Sequence, residues 1–402
     1  MAVPTPDLGS IAVVAAAIAA APIIASSLRR LVVPTVVVEM LLGILIGPQV
    51  LDLAGLDPYI EFLSGLGLAF LFLVAGMEID LDRVRGTPIT FGGIGWLISL
   101  ALGLGAATLL YATDLVGSVG FVGIALATTA LGTLMPILRD AGALNSKLGL
   151  MTIGVGVAGE FLPIVVIALF LNGTNAAVET VLLAFFLLIT FGAASLALRA
   201  RPPAILNAIA QTLHASGQLA VRLVLVTLAF LVWLADTLDL DYILGAFAAG
   251  LIVGLVTRGE LGAQVRIRVE GVAFGLFVPI FFVVSGMEFD LEALVDSWSA
   301  LALLPICLLL LLLVRGLPAL ALYFKLFEGR DRRALALFSA TALPLIVAIT
   351  SIGVEKGDLA SDEAAALVGA GMLSVLLFPL IGLKLVGRKE VPTTLEQAAR
   401  EA

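Results

Sequence analysis

Three ionisable side chains stand deep inside long apolar runs of this chain: Glu39, Glu160 and Arg315. A charge at the centre of an inserted helix costs ~2.5–3.5 kcal/mol, so such a residue is normally paired and marks a path for protons or ions. Glu160 lies within Gly154-Val155-Gly156-Val157-Ala158-Gly159-Glu160-Phe161-Leu162-Pro163. The small residues permit close helix approach, and Pro163 frees a backbone carbonyl near the carboxylate. Arg315, followed by Gly316 and Pro318, sits at a similar depth in its own run. Glu160 is its expected counterion, either as a functional pair or as a permanent structural staple. Glu39 precedes Gly47-Pro48 in a span with few polar residues and reads as a hydrogen-bonded packing residue, or else as a secondary acid.

Hydroxyls supply the remaining polar cue. Ala127-Thr128-Thr129-Ala130-Leu131-Gly132 precedes Pro136, and Ser339-Ala340-Thr341-Ala342-Leu343-Pro344 echoes it. Threonines beside Gly or Pro suit interrupted helices, whose freed carbonyls and half-helix ends can ligate an ion. The plainer alternative is hydrogen bonding between helices. Thr128, Thr129 and Thr341 are therefore candidate ligands beside Glu160.

Composition determines the elements that must position these groups. Of 402 residues, 61% are hydrophobic and 13% charged, too little polar surface to wrap soluble domains of this size. The chain reads as an all-α polytopic membrane protein. Cys307 is the sole cysteine and lies in an apolar run, which excludes a disulfide scaffold. His214 is the sole histidine, which excludes histidine-built metal centres. No enzyme chemistry, cofactor or nucleic-acid partner is called for; lipid is the surrounding medium. Residues 1–8 lack Lys and Arg, so the first apolar run is expected to remain in the mature chain.

About thirteen runs are long enough to span a bilayer: 9–28, 31–51, 60–77, 88–111, 115–137, 148–171, 178–200, 218–235, 242–256, 270–287, 299–324, 333–354 and 362–386. With these spans, 20 of the 22 basic residues fall on one side, while Lys356 stands on the other among Asp52, Asp57, Asp114, Asp241 and Asp290. The positive-inside rule then places the N-terminus outside and the C-terminus, with its short tail 388–402, in the cytoplasm.

The chain also repeats itself. AFLFLVAGMEIDL at 69–81 matches PIFFVVSGMEFDL at 279–291, Gly43 and Gly47 pair with Gly250 and Gly254, and Thr129-Ala130-Leu131 pairs with Thr341-Ala342-Leu343. The matches join the third span to the tenth and the fifth to the twelfth. An offset of seven spans inverts one half relative to the other, a transporter device that places the site near the midplane. Glu78 and Glu288 fall at span ends and read as water-facing, with Asp80 and Asp290 capping the segments after them.

Val33-Pro34-Thr35 through Glu39, Gly43, Gly47 and Pro48, then Gly76–Leu81, Leu244–Gly250 and Pro279–Leu291, give the chain its resemblance to the monovalent cation:proton antiporters of the Kef and Nap type. The resemblance covers nearly the whole length. It implies one transporter unit over 1–387, with dimerising scaffold helices (9–51, 178–256) beside a mobile core (60–171, 270–386), as a homodimer in a prokaryotic inner membrane. Two interrupted helices, the fifth and twelfth spans, would cross at the ion site. Glu160 would bind H⁺ or Na⁺/K⁺, with Thr128, Thr129 and Thr341 completing the shell and Arg315 as charge partner. Many members carry Asp-Asp or Asn-Asp where this chain has Gly159-Glu160, and electrogenic members carry Lys where it has Arg315. With one titrating carboxylate, exchange is expected to be electroneutral. The rivals are a Na⁺-coupled organic-solute symporter on a related fold and a sensor or scaffold that transports nothing.

Overall fold

Apolar runs of this length can satisfy their backbone groups in lipid only from within, as helices. The computed structural model describes residues 7–27, 33–78, 86–170 and 218–386, apart from Ala141, Asn145, Asp239 and Arg258, together with scattered positions between 181 and 195. Among the described residues there are helices and no strands. In chain order they are α1 (Leu8–Ser27), α2 (Thr35–Ile46), α3 (Pro58–Glu78), α4 (Thr87–Ala112), α5 (Val119–Leu126), α6 (Leu131–Asp140) and α7 (Lys147–Phe170). After residue 217 come α8 (Leu219–Thr237), α9 (Tyr242–Val256) and α10 (Gly259–Val272), which passes through a π-helical turn, Ala273–Phe277, into α11 (Val278–Met287). The chain closes with α12 (Leu291–Asp296), α13 (Trp298–Leu322), α14 (Gly329–Ser339), α15 (Pro344–Glu355) and α16 (Ser361–Val386). Most of the seventh span, together with His214, Asp80 and the tail 388–402, lies outside the described residues.

Both expected interruptions are present. Residues 127–130 leave the helical path between α5 and α6, and residues 340–343 do so between α14 and α15. Asp290 caps α12 as expected, accepting from the Ala293 amide at 2.9 Å.

The repeat is written into the packing. A Cβ on Gly43 would stand 2.9 Å from Gly286 Cα, and one on Gly250 would stand 2.9 Å from Gly76 Cα. Each glycine of the GMExDL segments thus presses on the glycine echo of the other half, so that α2 crosses α11 as α9 crosses α3. Only backbone without a side chain fits at such a crossing. The second and ninth spans, short and rich in glycine, are the ones that make these crossings.

The packing sorts the helices into two groups. Sequence order puts the third and tenth spans in the mobile core, yet α3 and α11 pack chiefly against α9, α2 and one another. The second group is α4, α5, α7, α13, α14 and α16, with α5 and α6 flanking the first break. The small-residue faces of α2 and α9 decide the matter, because they seat the glycines of α11 and α3.

Contacts between connections sort the two ends. The Asp7 amide donates to Asp57, Gln49 reaches Asp290, and the Gly117 amide donates to Glu363, all at the acidic end. At the other end Lys147 donates to the Leu326 carbonyl and Arg268 to Gln218. The alternation read from charge therefore holds wherever these contacts test it.

Candidate functional site

The first break exists because its backbone is satisfied elsewhere. Pro163 has no N–H to give the carbonyl four residues earlier, which belongs to Gly159. The Thr129 amide takes that carbonyl at 3.0 Å, and the Ala130 amide donates to the Thr341 carbonyl at 2.7 Å. One strand of backbone thus ties α7 to the first break and the first break to the second. Leu131 opens α6, and the amides of a helix's first turn have no partner within the helix. Glu160 lies near that end, which places an acid beside the positive end of a half-helix. Glu160 is only 7% exposed.

Arg315 is buried nearby, at 2% exposure, but it does not pair with Glu160. Its Nε and Nη2 donate to Thr129 Oγ1 at 2.9 and 2.6 Å, and its Nη1 donates to Ser99 Oγ at 3.3 Å. Its remaining contacts are the carbonyls of Ser339 and Val155, each at 3.3 Å. The expected Glu160–Arg315 ion pair is corrected accordingly: the guanidinium is held by hydroxyls and carbonyls. Gly159 makes this possible. A Cβ there would stand 2.5 Å from Arg315 Nη2 and 2.7 Å from Thr129 Oγ1. The space that a side chain would fill at position 159 is taken by the guanidinium.

The threonines also differ from expectation. Thr129 Oγ1 accepts twice from Arg315 and donates to the Ser339 carbonyl at 2.5 Å, which uses its whole hydrogen-bonding capacity. Its expected role as an ion ligand gives way to that of a bridge between Arg315 and the second break. Thr128 and Thr341 turn their hydroxyls back onto Ala125 and Leu337 carbonyls of their own helices. Glu39 is buried on α2 among helices of the other group, has no hydrogen-bond partner among the described residues, and is no part of Glu160's surroundings.

The span-end position of Glu78 predicts a carboxylate that meets water. It is half-buried at the end of α3 and near enough to act electrostatically on Glu160. The only signal for it in the sequence is that both repeat copies keep a glutamate at this place.

A buried carboxylate near a half-helix end, between inverted repeats and beside crossed helix breaks, is an arrangement that transporter folds use. The family comparison is specific. The chain belongs to the sodium/hydrogen exchanger family, whose transmembrane model matches residues 13–384. It is similar to the putative Na(+)/H(+) antiporter YjbQ of Bacillus subtilis, 26% identical across 90% of this chain and 61% of that protein. It therefore spans less than two thirds of that relative. The Na(+)/H(+)-K(+) antiporter GerN of Bacillus cereus is 26% identical across 87% of this chain and 89% of its own length. Among solved structures, the sodium proton antiporter MjNhaP1 from Methanocaldococcus jannaschii superposes with a TM-score of 0.65, covering 94% of this chain and 97% of its own at 18% identity. The fold is shared; the chain is an integral membrane protein of a transporter family.

Proposed function

We propose that this chain exchanges a monovalent cation, Na⁺ or K⁺, for a proton across a prokaryotic inner membrane, at Glu160. The observation that carries this reading is the buried Glu160 carboxylate on α7, whose Gly159 carbonyl is tied to the first break and, through it, to the second. A carboxylate so held can take up a proton or a cation but not both, and competition for one site is sufficient for antiport when the site faces each side in turn. The names of the relatives, sodium and potassium antiporters among them, point the same way. The symporter reading lacks support, since the one buried cation among the described residues, Arg315, is already fully engaged.

Exchange is one for one. With Glu78 and Glu160 together, the pair carries the same net charge when it holds one cation with both groups ionised as when it holds one proton. Arg315 keeps its charge throughout the cycle and carries nothing. The group of α4, α5, α7, α13, α14 and α16 moves against α2, α3, α9 and α11, with the N-terminus outside, the C-terminus inside, and two copies forming a dimer. The test is proton flux in proteoliposomes driven by a Na⁺ or K⁺ gradient. Glu160→Gln should abolish it, and an imposed membrane potential should not alter the wild-type rate. Flux surviving Glu160→Gln would overturn the assignment, and a current scaling with turnover would overturn the one-for-one exchange.

A further inference from the structure

At the acidic end a cavity of about 320 Å³ opens between α11, α15 and α16. Glu288 and Glu355 stand at its rim, and neither has an ion-pair partner among the described residues. Gln49 and Asp290, also on the wall, are spent on each other and on the start of α12. Below the rim lies Ser285, only 6% exposed, on the cavity wall and without a hydrogen-bond partner among the described residues. A buried hydroxyl left unpaired against a cavity is an unmet polar requirement, and water or a ligand must meet it. Thr350, one turn before the end of α15, lines the same cavity and donates to the Ile346 and Val347 carbonyls.

The cavity is matched to a cation. Its rim carries two unpaired carboxylates, its wall carries hydroxyl oxygens, and α15 ends there, presenting the negative end of its dipole. Its volume leaves room for an alkali cation together with water. Its floor reaches Val347, one turn inside α15 from the second break. The repeat supplies a control within the molecule: the position equivalent to Ser285 is Ala75, so the other half lacks the hydroxyl.

We propose that this cavity is an antechamber that holds a hydrated Na⁺ or K⁺ on Ser285, Glu288 and Glu355 before the ion reaches the crossing. The proposal rests on the antiport reading, and its test is separate. Purified Glu160→Gln protein in nanodiscs lacks the central carboxylate but keeps the cavity. It should bind radioactive sodium or rubidium saturably, displaced by cold NaCl or KCl and not by choline chloride. Adding Ser285→Ala or Glu288→Gln should weaken that binding by about tenfold or more, the size of one lost hydrogen bond or charge-assisted contact. The two variants are independent, so misfolding of one, seen by gel filtration, leaves the other to decide. No displaceable binding in Glu160→Gln protein, or equal binding after either second substitution, overturns the antechamber. Flux through the wild-type chain tests the antiport reading, and this binding tests the cavity.

Discussion

The two helix breaks are related by the repeat but are filled by opposite means. At residues 127–130 the gap is occupied by a cation from a third helix: Arg315 bonds twice to Thr129, which passes the link on to the Ser339 carbonyl. At residues 340–343 a neutral serine closes it. Ser374 of α16 accepts from the Ala342 amide at 3.0 Å and donates to the carbonyls of Ala342 and Gly371. Even the paired threonines part company, Thr129 bonding across helices and Thr341 within its own. The repeat has duplicated the geometry of the crossing and not its chemistry. Charge is handled at the first break, where Glu160 lies near Leu131, and the second serves as its frame.

That difference is sharpest at Gly159. Gly159→Ala places a methyl group on Arg315 Nη2 and Thr129 Oγ1, in a site whose neighbours are all committed. Overpacking a filled core costs ~1–3 kcal/mol, and here it also displaces the guanidinium beside Glu160. Proteoliposome flux should fall to background and thermal unfolding should come several degrees earlier. Gly316→Ala, beside Arg315 on the other face, meets only ordinary contacts at 3.5 Å and should leave both unchanged. Normal flux in Gly159→Ala protein would mean that Arg315 need not occupy that space. Next in size is Thr129→Val, which keeps the shape but leaves two guanidinium donors only their longer contacts, at 3.3 Å, with the Ser339 and Val155 carbonyls. The expected loss is ~2–3 kcal/mol of stability and about tenfold in flux, restored by Thr129→Ser. At the second break, Ser374→Ala should lower stability by ~1–3 kcal/mol in the same unfolding assay while flux per folded molecule stays near wild type. A collapse of flux there would give the second break a share in the chemistry.

Much of this architecture is legible in the sequence. The apolar runs set the spans, the spacing of the GMExDL copies sets the inversion, and Glu160 stands out as an acid at mid-span beside Gly and Pro. Pro163 even marks the carbonyl that Thr129 takes. What escapes is rotation about the helix axis. Depth in a span gives the height of a side chain, but one residue along a helix turns it by about 100°. Arg315 meets Val155 and Gly159, four apart on one face of α7, and Glu160 points elsewhere. Equal depth suggests a pair that azimuth forbids. Glu78 escapes for a different reason. Its place at the end of α3 is right, but no local pattern records that Glu160 of α7 comes near that end. Sequence order also does not reveal which glycine faces meet, as those of α2 with α11 and of α9 with α3 do.

The smallest expected effect tests the asymmetry most directly. Thr341 is fully buried, repeats Thr129 in the sequence, and is a candidate ligand on those grounds. Its hydroxyl, however, donates to the Leu337 carbonyl at 3.1 Å, one turn back on its own helix. The contact that matters is made by its backbone, since its carbonyl receives the Ala130 amide. A side-chain substitution that keeps the volume leaves that carbonyl in place. Back-bonding of this kind adds little to a helix, because the carbonyl has other donors within reach. Thr341→Val should therefore change flux by less than about twofold and stability by under ~1 kcal/mol, against a loss in Thr129→Val many times larger. The pair is best measured side by side, with the same cation gradient and pH, as initial rates normalised to reconstituted protein. If the two valine variants fail alike, the threonines act as equivalents in the cycle and the second break binds the ion as well. If only Thr129→Val fails, the inverted repeat supplies one working break and one that holds it in place.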